Sequence, residues 1–73
     1  MVNQQQKGVL MMMSKEEVYS ESWLLRQGNL TQTDLNDLVE KECLIRVHKN
    51  PEDFMSENRY KITEIGQRIA WNK

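Results

Sequence analysis

The stretch that decides the fold runs from Leu30 to Val47 and reads LTQTDLNDLVEKECLIRV. Thr31 is a residue type that caps helices, and Asp34 falls in the first turn, where a carboxylate suits the helix dipole. Apolar residues then recur at helical spacing and afterwards alternate with polar residues. This change of period predicts a helix over 32–42 followed by a strand over 44–48.

A second alternating segment follows and predicts another strand over 59–63. In the first strand Ile45 and Val47 are expected on the buried face, and in the second strand Tyr60 and Ile62 take that face. About ten mostly polar residues, including an Asn-Pro turn signal, separate the two strands. The pair is therefore predicted to form a β-hairpin with a long loop.

Upstream, Ser14 and Glu17 have the spacing of a capping box, and Gly28 is a residue type that ends helices in the left-handed conformation. These signals predict a helix over 15–27. Val9 to Met13 is expected to be the end of a shorter helix that precedes it.

The polar residues 1–8 are expected to be a flexible N-terminus, and residues 9–73 a single domain. Thr63 is expected to cap a last helix from about residue 64 to the chain end. The expected core consists of apolar residues from position 18 onward: Val18, Leu25, Leu30, Leu35, Leu38, Val39, Ile45, Val47, Tyr60, Ile62 and Ile65.

Composition narrows the class of protein. A chain of 73 residues is too short for a large enzyme with a deep cleft, and 38% apolar and 29% charged residues are typical of a compact domain. One cysteine and one histidine make neither an internal disulfide nor a typical zinc site. The sequence thus predicts a non-enzymatic protein without cofactor or metal.

The longest apolar run, Val9 to Met13, has five residues, whereas a membrane helix needs roughly 20. No signal-peptide pattern is present either. We expect no membrane association and a cytoplasmic location.

Two motifs carry a resemblance to a known family. LTQTDLNDLVEKECLIRV resembles the stretch from the turn through the recognition helix to the first wing strand of MarR-like and PadR-like regulators, where a leucine near the helix end and then Gly-Leu-Ile precede a basic residue. Cys43 stands where Gly is usual. RYKITEIGQRIA, residues 59–70, resembles the second wing strand and final helix, whose pattern is Tyr-x-Leu-Thr-x-x-Gly. The matching residues are Leu38, Leu44, Ile45, Arg46, Tyr60, Ile62, Thr63 and Gly66.

The resemblance implies an α+β fold, a winged helix-turn-helix with three helices, a two-stranded β-hairpin wing and a C-terminal helix. It also implies that the protein binds double-stranded DNA as a small transcriptional regulator. Gln32, Thr33 and Asn36 on the presumed recognition helix then face base edges, because Asn and Gln bond adenine and Thr contacts the thymine methyl group.

Charge leaves an alternative open. Residues 31–45 carry a net charge of −3, the whole chain carries −1, and phosphates repel an acidic helix. The polar residues of this helix can equally form a solvated face. A winged helix used as a protein-protein interaction module is the second hypothesis, its acidic third helix binding a basic partner such as a regulator, a polymerase or a replication component.

The wing carries the candidate phosphate contacts Arg46, Lys49, Arg59 and Lys61. The loop also contains acidic residues that would neutralise this charge. The wing cations can therefore equally form cross-strand ion pairs on an exposed hairpin.

Apolar residues near the two chain ends exceed what the expected core needs. We therefore expect a homodimer whose interface is formed by Leu10, Met12, Met13, Ile69 and Trp71.

Overall fold

The computed structural model describes residues 2–47 and 57–71. Within these residues the chain is a small α+β domain with four helices and a three-stranded antiparallel sheet. In chain order the elements are α1 (Gln4–Met12), β1 (Tyr19–Ser20), α2 (Glu21–Gln27), α3 (Gln32–Glu40), β2 (Leu44–Val47), β3 (Arg59–Ile62) and α4 (Glu64–Trp71).

The sheet has the order β1-β3-β2, so the predicted pair β2–β3 is confirmed and a third strand joins it. Tyr19 pairs with Tyr60, and Ser20 pairs with Arg59. This strand replaces the first part of the predicted helix over 15–27. The Ser14 to Glu17 segment forms a turn, not a capping box, because the backbone after it must be extended to reach β3.

α2 consequently starts at Glu21, and its cap is Ser20, whose hydroxyl oxygen accepts a hydrogen bond from the Trp23 amide at 3.2 Å. The rings of Tyr19 and Trp23 pack with centroids 4.7 Å apart. Val18, expected in the core, is exposed ahead of this strand.

Gly28 ends α2 as predicted, but in the right-handed region, and Asn29 takes the left-handed conformation with φ 51°. The glycine is needed for a different reason. A Cβ at Gly28 would lie 2.8 Å from the Cβ of Val9, so its absence lets α1 approach the end of α2.

The faces of the hairpin differ from the expectation. Leu44 pairs with Ile62 and Arg46 with Tyr60, so these four side chains share the inner face. Ile45 and Val47 therefore point outward, although both were expected in the core, and Ile45 is 58% exposed. β2 has apolar residues on both of its faces. Its pairing with Tyr60 and Ile62 buries the face that carries Leu44.

α1 begins earlier than the sequence suggested, since residues 4–8 are helical rather than a flexible segment. Asn3 and Gln6 form a capping box, in which each side chain bonds the other residue's backbone amide at 2.7 and 2.8 Å. α1 packs against α4 and α3 and completes the core.

The buried apolar residues are Val9, Leu10, Met13, Leu24, Leu30, Leu35, Leu38, Cys43, Leu44, Tyr60, Ile62 and Ala70. Ile65, expected among them, is exposed.

α3 starts at the predicted residue, with Thr31 and Asp34 forming a reciprocal capping box. It ends two residues before the expected position, at Glu40. Glu42 then adopts a left-handed conformation with φ 63°, which reverses the chain into β2. The resemblance places glycine at Cys43, whereas the position that favours glycine is Glu42.

We expect Glu42→Gly to raise the free energy of unfolding by about 0.5–1 kcal/mol. A left-handed non-glycine residue costs about 1–2 kcal/mol, and the extra freedom of glycine in the unfolded chain cancels part of that gain. Thermal melting by circular dichroism measures the change. Glu42→Ala is the control because it removes the same side chain and keeps the strain. Equal melting temperatures for the two variants would contradict the prediction.

Candidate nucleic-acid interface

The first half of α3 presents the three side chains that the sequence assigned to base contacts. Gln32, Thr33 and Asn36 are all exposed. Gln32 and Asn36 are one helical turn apart, and the Gln32 side-chain amide donates to Asn36 Oδ1 at 3.1 Å. The three residues therefore form one polar surface, in which Gln32 and Asn36 orient each other.

A chain of contacts connects this surface with the hairpin. The Gln32 amide also lies 3.4 Å from Glu21 Oε1, and the same oxygen accepts from the Tyr60 hydroxyl at 3.2 Å. The guanidinium carbon of Arg46 lies 5.9 Å from the Tyr60 ring centroid, within cation–π range. Burial raises the pKa of the Tyr60 hydroxyl, which keeps it a proton donor to Glu21. These contacts connect Arg46 with Gln32 through Tyr60 and Glu21.

Two acidic residues of α3 are turned toward α1. Asp34 accepts from the Asn3 side chain at 3.0 Å, and Asp37 accepts from Gln6 at 3.0 Å and forms a 2.8 Å ion pair with Lys41. Hydrogen bonds from Lys41 and then Gln6 lower the pKa of Asp37, and a hydrogen bond from the Thr31 amide is the main cause of the lowered pKa of Asp34.

Gln6 is the residue that sequence reasoning missed. It is only 2% exposed, and its amide nitrogen donates to the Asp34 carbonyl at 2.9 Å as well as to Asp37. The Asn-x-x-Gln spacing of Asn3 and Gln6 is a capping-box signal, and it would have located the helix start. The hydrogen bonds from the Gln6 side chain to α3 cannot be predicted from the residues around Gln6.

The candidate phosphate contacts do not form one patch. Arg46 shares the inner face with Tyr60, whereas Arg59 and Lys61 lie on the outer face of the sheet. Lys49 lies outside the described residues. Beside Arg59, Glu57 accepts from the Ser22 hydroxyl at 2.8 Å, and this hydrogen bond is the main cause of the lowered pKa of Glu57.

The residues of the expected dimer surface differ in burial, and they do not form one exposed surface. Leu10 and Met13 are buried in the core of their own chain, which corrects their assignment to an interface between copies. Ile69 is half-buried against the same core. Met12 and Trp71 remain exposed, at 47% and 62%. The reason for the difference is that α1, taken to lack a partner, packs within the domain against α4.

Among residues 2–47 and 57–71, no three His, Cys, Asp or Glu side chains are placed to hold a metal ion. Cys43 is fully buried, and burial raises the pKa of its thiol. In the same part of the chain, no helix has the length and apolar character required to cross a bilayer.

The chain matches no protein-family model, no curated protein and no solved structure.

Proposed function

We propose that this chain is a winged helix-turn-helix domain that binds double-stranded DNA and acts as a small transcriptional regulator. α3 is the recognition helix, α2 precedes it across a short turn, and β2 and β3 are the strands of the wing. The order of the helices and the antiparallel hairpin support this proposal, together with the two motifs that resemble MarR-like and PadR-like regulators.

The observation that carries the proposal is the division of α3 into two polar faces. Gln32, Thr33 and Asn36 face solvent, and their side chains suit base edges in a major groove. Asp34 and Asp37 are engaged with α1 on another side of the helix. Two acidic residues of α3 are thus engaged on the side that faces α1, whereas Glu40 is exposed one helical turn after Asn36.

Arg46 is proposed to contact a phosphate, because contacts through Tyr60 and Glu21 connect its guanidinium group with Gln32. Arg59 and Lys61 face the other side of the sheet and are proposed to contact phosphates there. Lys49, outside the described residues, is proposed as a further phosphate contact. Each neutralised phosphate contributes about −0.9 to the slope of log affinity against log salt concentration.

We expect Arg46→Gln to weaken binding of duplex DNA at low salt by about five- to ten-fold for all sequences alike, and to make the salt slope shallower by about 0.9. Glutamine keeps part of the aliphatic stem over Tyr60 while removing the charge. Fluorescence anisotropy with labelled duplexes at several salt concentrations measures both quantities.

Arg68→Gln is the matched control, because it removes the same charge from α4, where Arg68 pairs with Glu64 at 2.8 Å. An equal loss for both variants would mean that only net charge matters. Absence of binding to any duplex by the folded protein would overturn the proposal and favour the protein-interaction module whose acidic α3 binds a basic partner.

A further inference from the structure

Glu21, the first residue of α2, is anchored at both its backbone and its side chain. Its amide donates to the Asn58 carbonyl at 2.9 Å, and its Oε1 accepts a hydrogen bond from the Tyr60 hydroxyl at 3.2 Å. Tyr60 is almost fully buried, and Glu21 itself is half-buried. Both anchors limit the positions that the carboxylate can take, and the oxygen that bonds Tyr60 also lies 3.4 Å from the Gln32 amide nitrogen.

This carboxylate determines which way the neighbouring side-chain amides point. A carboxylate only accepts hydrogen bonds, so Gln32 must turn its amide nitrogen, and not its amide oxygen, toward Glu21. The same nitrogen donates to Asn36 Oδ1 at 3.1 Å, which requires Asn36 to turn its oxygen toward Gln32. Both hydrogens of the Gln32 nitrogen are thereby used within the protein. The groups left for a ligand are the Gln32 Oε1 acceptor and the Asn36 Nδ2 donor.

We propose that Glu21 is a positioning residue for base recognition, which fixes Gln32 as a hydrogen-bond acceptor and Asn36 as a donor toward the edges of DNA bases. This inference rests on the proposed binding of double-stranded DNA.

The fixed direction of the two amides narrows the bases that fit. Gln32 Oε1 accepts from adenine N6 or cytosine N4, whereas Asn36 Nδ2 suits guanine, whose N7 and O6 are both acceptors. A free glutamine side chain bonds adenine at two points, with its oxygen on N6 and its nitrogen on N7. Gln32 does not do so here, because its nitrogen is engaged with Glu21 and Asn36.

The effect of Glu21 on the amides is separable from its effect on affinity. Its negative charge weakens the attraction to phosphates, so replacing the carboxylate by an amide should tighten binding to every duplex slightly. Glutamine has the same shape and keeps an oxygen for the Tyr60 hydroxyl, but it can also turn its nitrogen toward Gln32. Both directions of the Gln32 and Asn36 amides then become available, and discrimination between bases falls.

Selection of bound duplexes from a randomised DNA library, followed by sequencing, tests the inference with the full chain. The unmodified chain should favour adenine or cytosine at one position and guanine at another, each by about five-fold or more. Gln32→Ala identifies the position that Gln32 contacts. Glu21→Gln should reduce both preferences to about two-fold or less, since neither amide is then fixed. Glu17→Gln is the matched control, because it removes the same charge from an exposed turn and should leave both preferences unchanged.

Nuclear magnetic resonance provides a readout without DNA. In the free protein, Glu21→Gln should shift the side-chain amide signals of Gln32 and Asn36, whereas Glu17→Gln should leave them in place. Thermal melting by circular dichroism checks that both variants are folded.

Base preferences that Glu21→Gln leaves intact would overturn this inference while DNA binding itself stands. The same holds for binding without any base preference, for unshifted Gln32 signals in Glu21→Gln, and for an equal loss of preference in Glu17→Gln. Absence of binding to any duplex by the folded chain would overturn both this inference and the proposed function.

Discussion

Replacing Gly66 with alanine should unfold the domain or leave it barely stable. Gly66 lies in the first turn of α4, and a Cβ there would overlap the Cys43 carbonyl oxygen and lie 2.9 Å from the Ile62 side chain. The oxygen belongs to the backbone and also accepts from the Thr63 amide and hydroxyl. Relieving the overlap requires α4 to move away from the end of α3.

We expect a loss of about 3 kcal/mol or more, at the upper end of what overpacking a core costs. A domain of this size has a total stability of only about 5 kcal/mol, so the loss removes most of it. Urea denaturation followed by tryptophan fluorescence measures the change. Gly8→Ala is the control, since a Cβ at Gly8 meets no described atom within 4 Å, and alanine should stabilise α1 by about 1 kcal/mol. Unchanged urea midpoints for Gly66→Ala would show that the contact is not as close as described.

Leu10→Ala should lower the free energy of unfolding by about 2–5 kcal/mol. Leu10 is fully buried where α1 meets the rest of the core, so truncation loses apolar contact and leaves a cavity. Met12→Ala on the same helix is the control, because Met12 is 47% exposed and its truncation should change stability by less than about 0.5 kcal/mol.

Leu10→Ala and Met12→Ala also distinguish burial of the apolar N-terminal segment within one chain from its burial between two copies. If Leu10 contributed to an interface between copies, its truncation would destabilise the protein only at concentrations where copies associate. Burial within one chain predicts the same loss at every protein concentration. Chemical denaturation at two concentrations, about ten-fold or more apart, distinguishes the two explanations.

The second half of the fold could be predicted from the sequence because its signals are local. Thr31 and Asp34 mark the start of α3, and the alternation around Tyr60 marks β3. The exposure of Gln32, Thr33 and Asn36 follows from helical spacing alone, so this part of the candidate site was also predictable.

The first half depends on contacts between residues far apart in sequence. The Ser14 to Glu17 pattern is a good local cap, yet the backbone at Tyr19 pairs with Tyr60, about forty positions later, and this pairing determines where α2 begins. The bonds from Gln6 to Asp37 join α1 to α3 in the same way. Helical spacing fixes where the acidic residues of α3 lie, but the packing of α1 beside Asp34 and Asp37 is not predictable from either segment alone.

The packing of α1 against α4 has a consequence for how the chain folds as it is made. α1 leaves the ribosome before the other elements of this domain, but the surface that covers Val9 and Leu10 includes α4, which emerges after them. Until α4 emerges, the apolar face of α1 stays exposed to water or to chaperones. Synthesis of nearly the whole domain therefore precedes closure of the core, and the protein should fold in one cooperative step once α4 has cleared the exit tunnel.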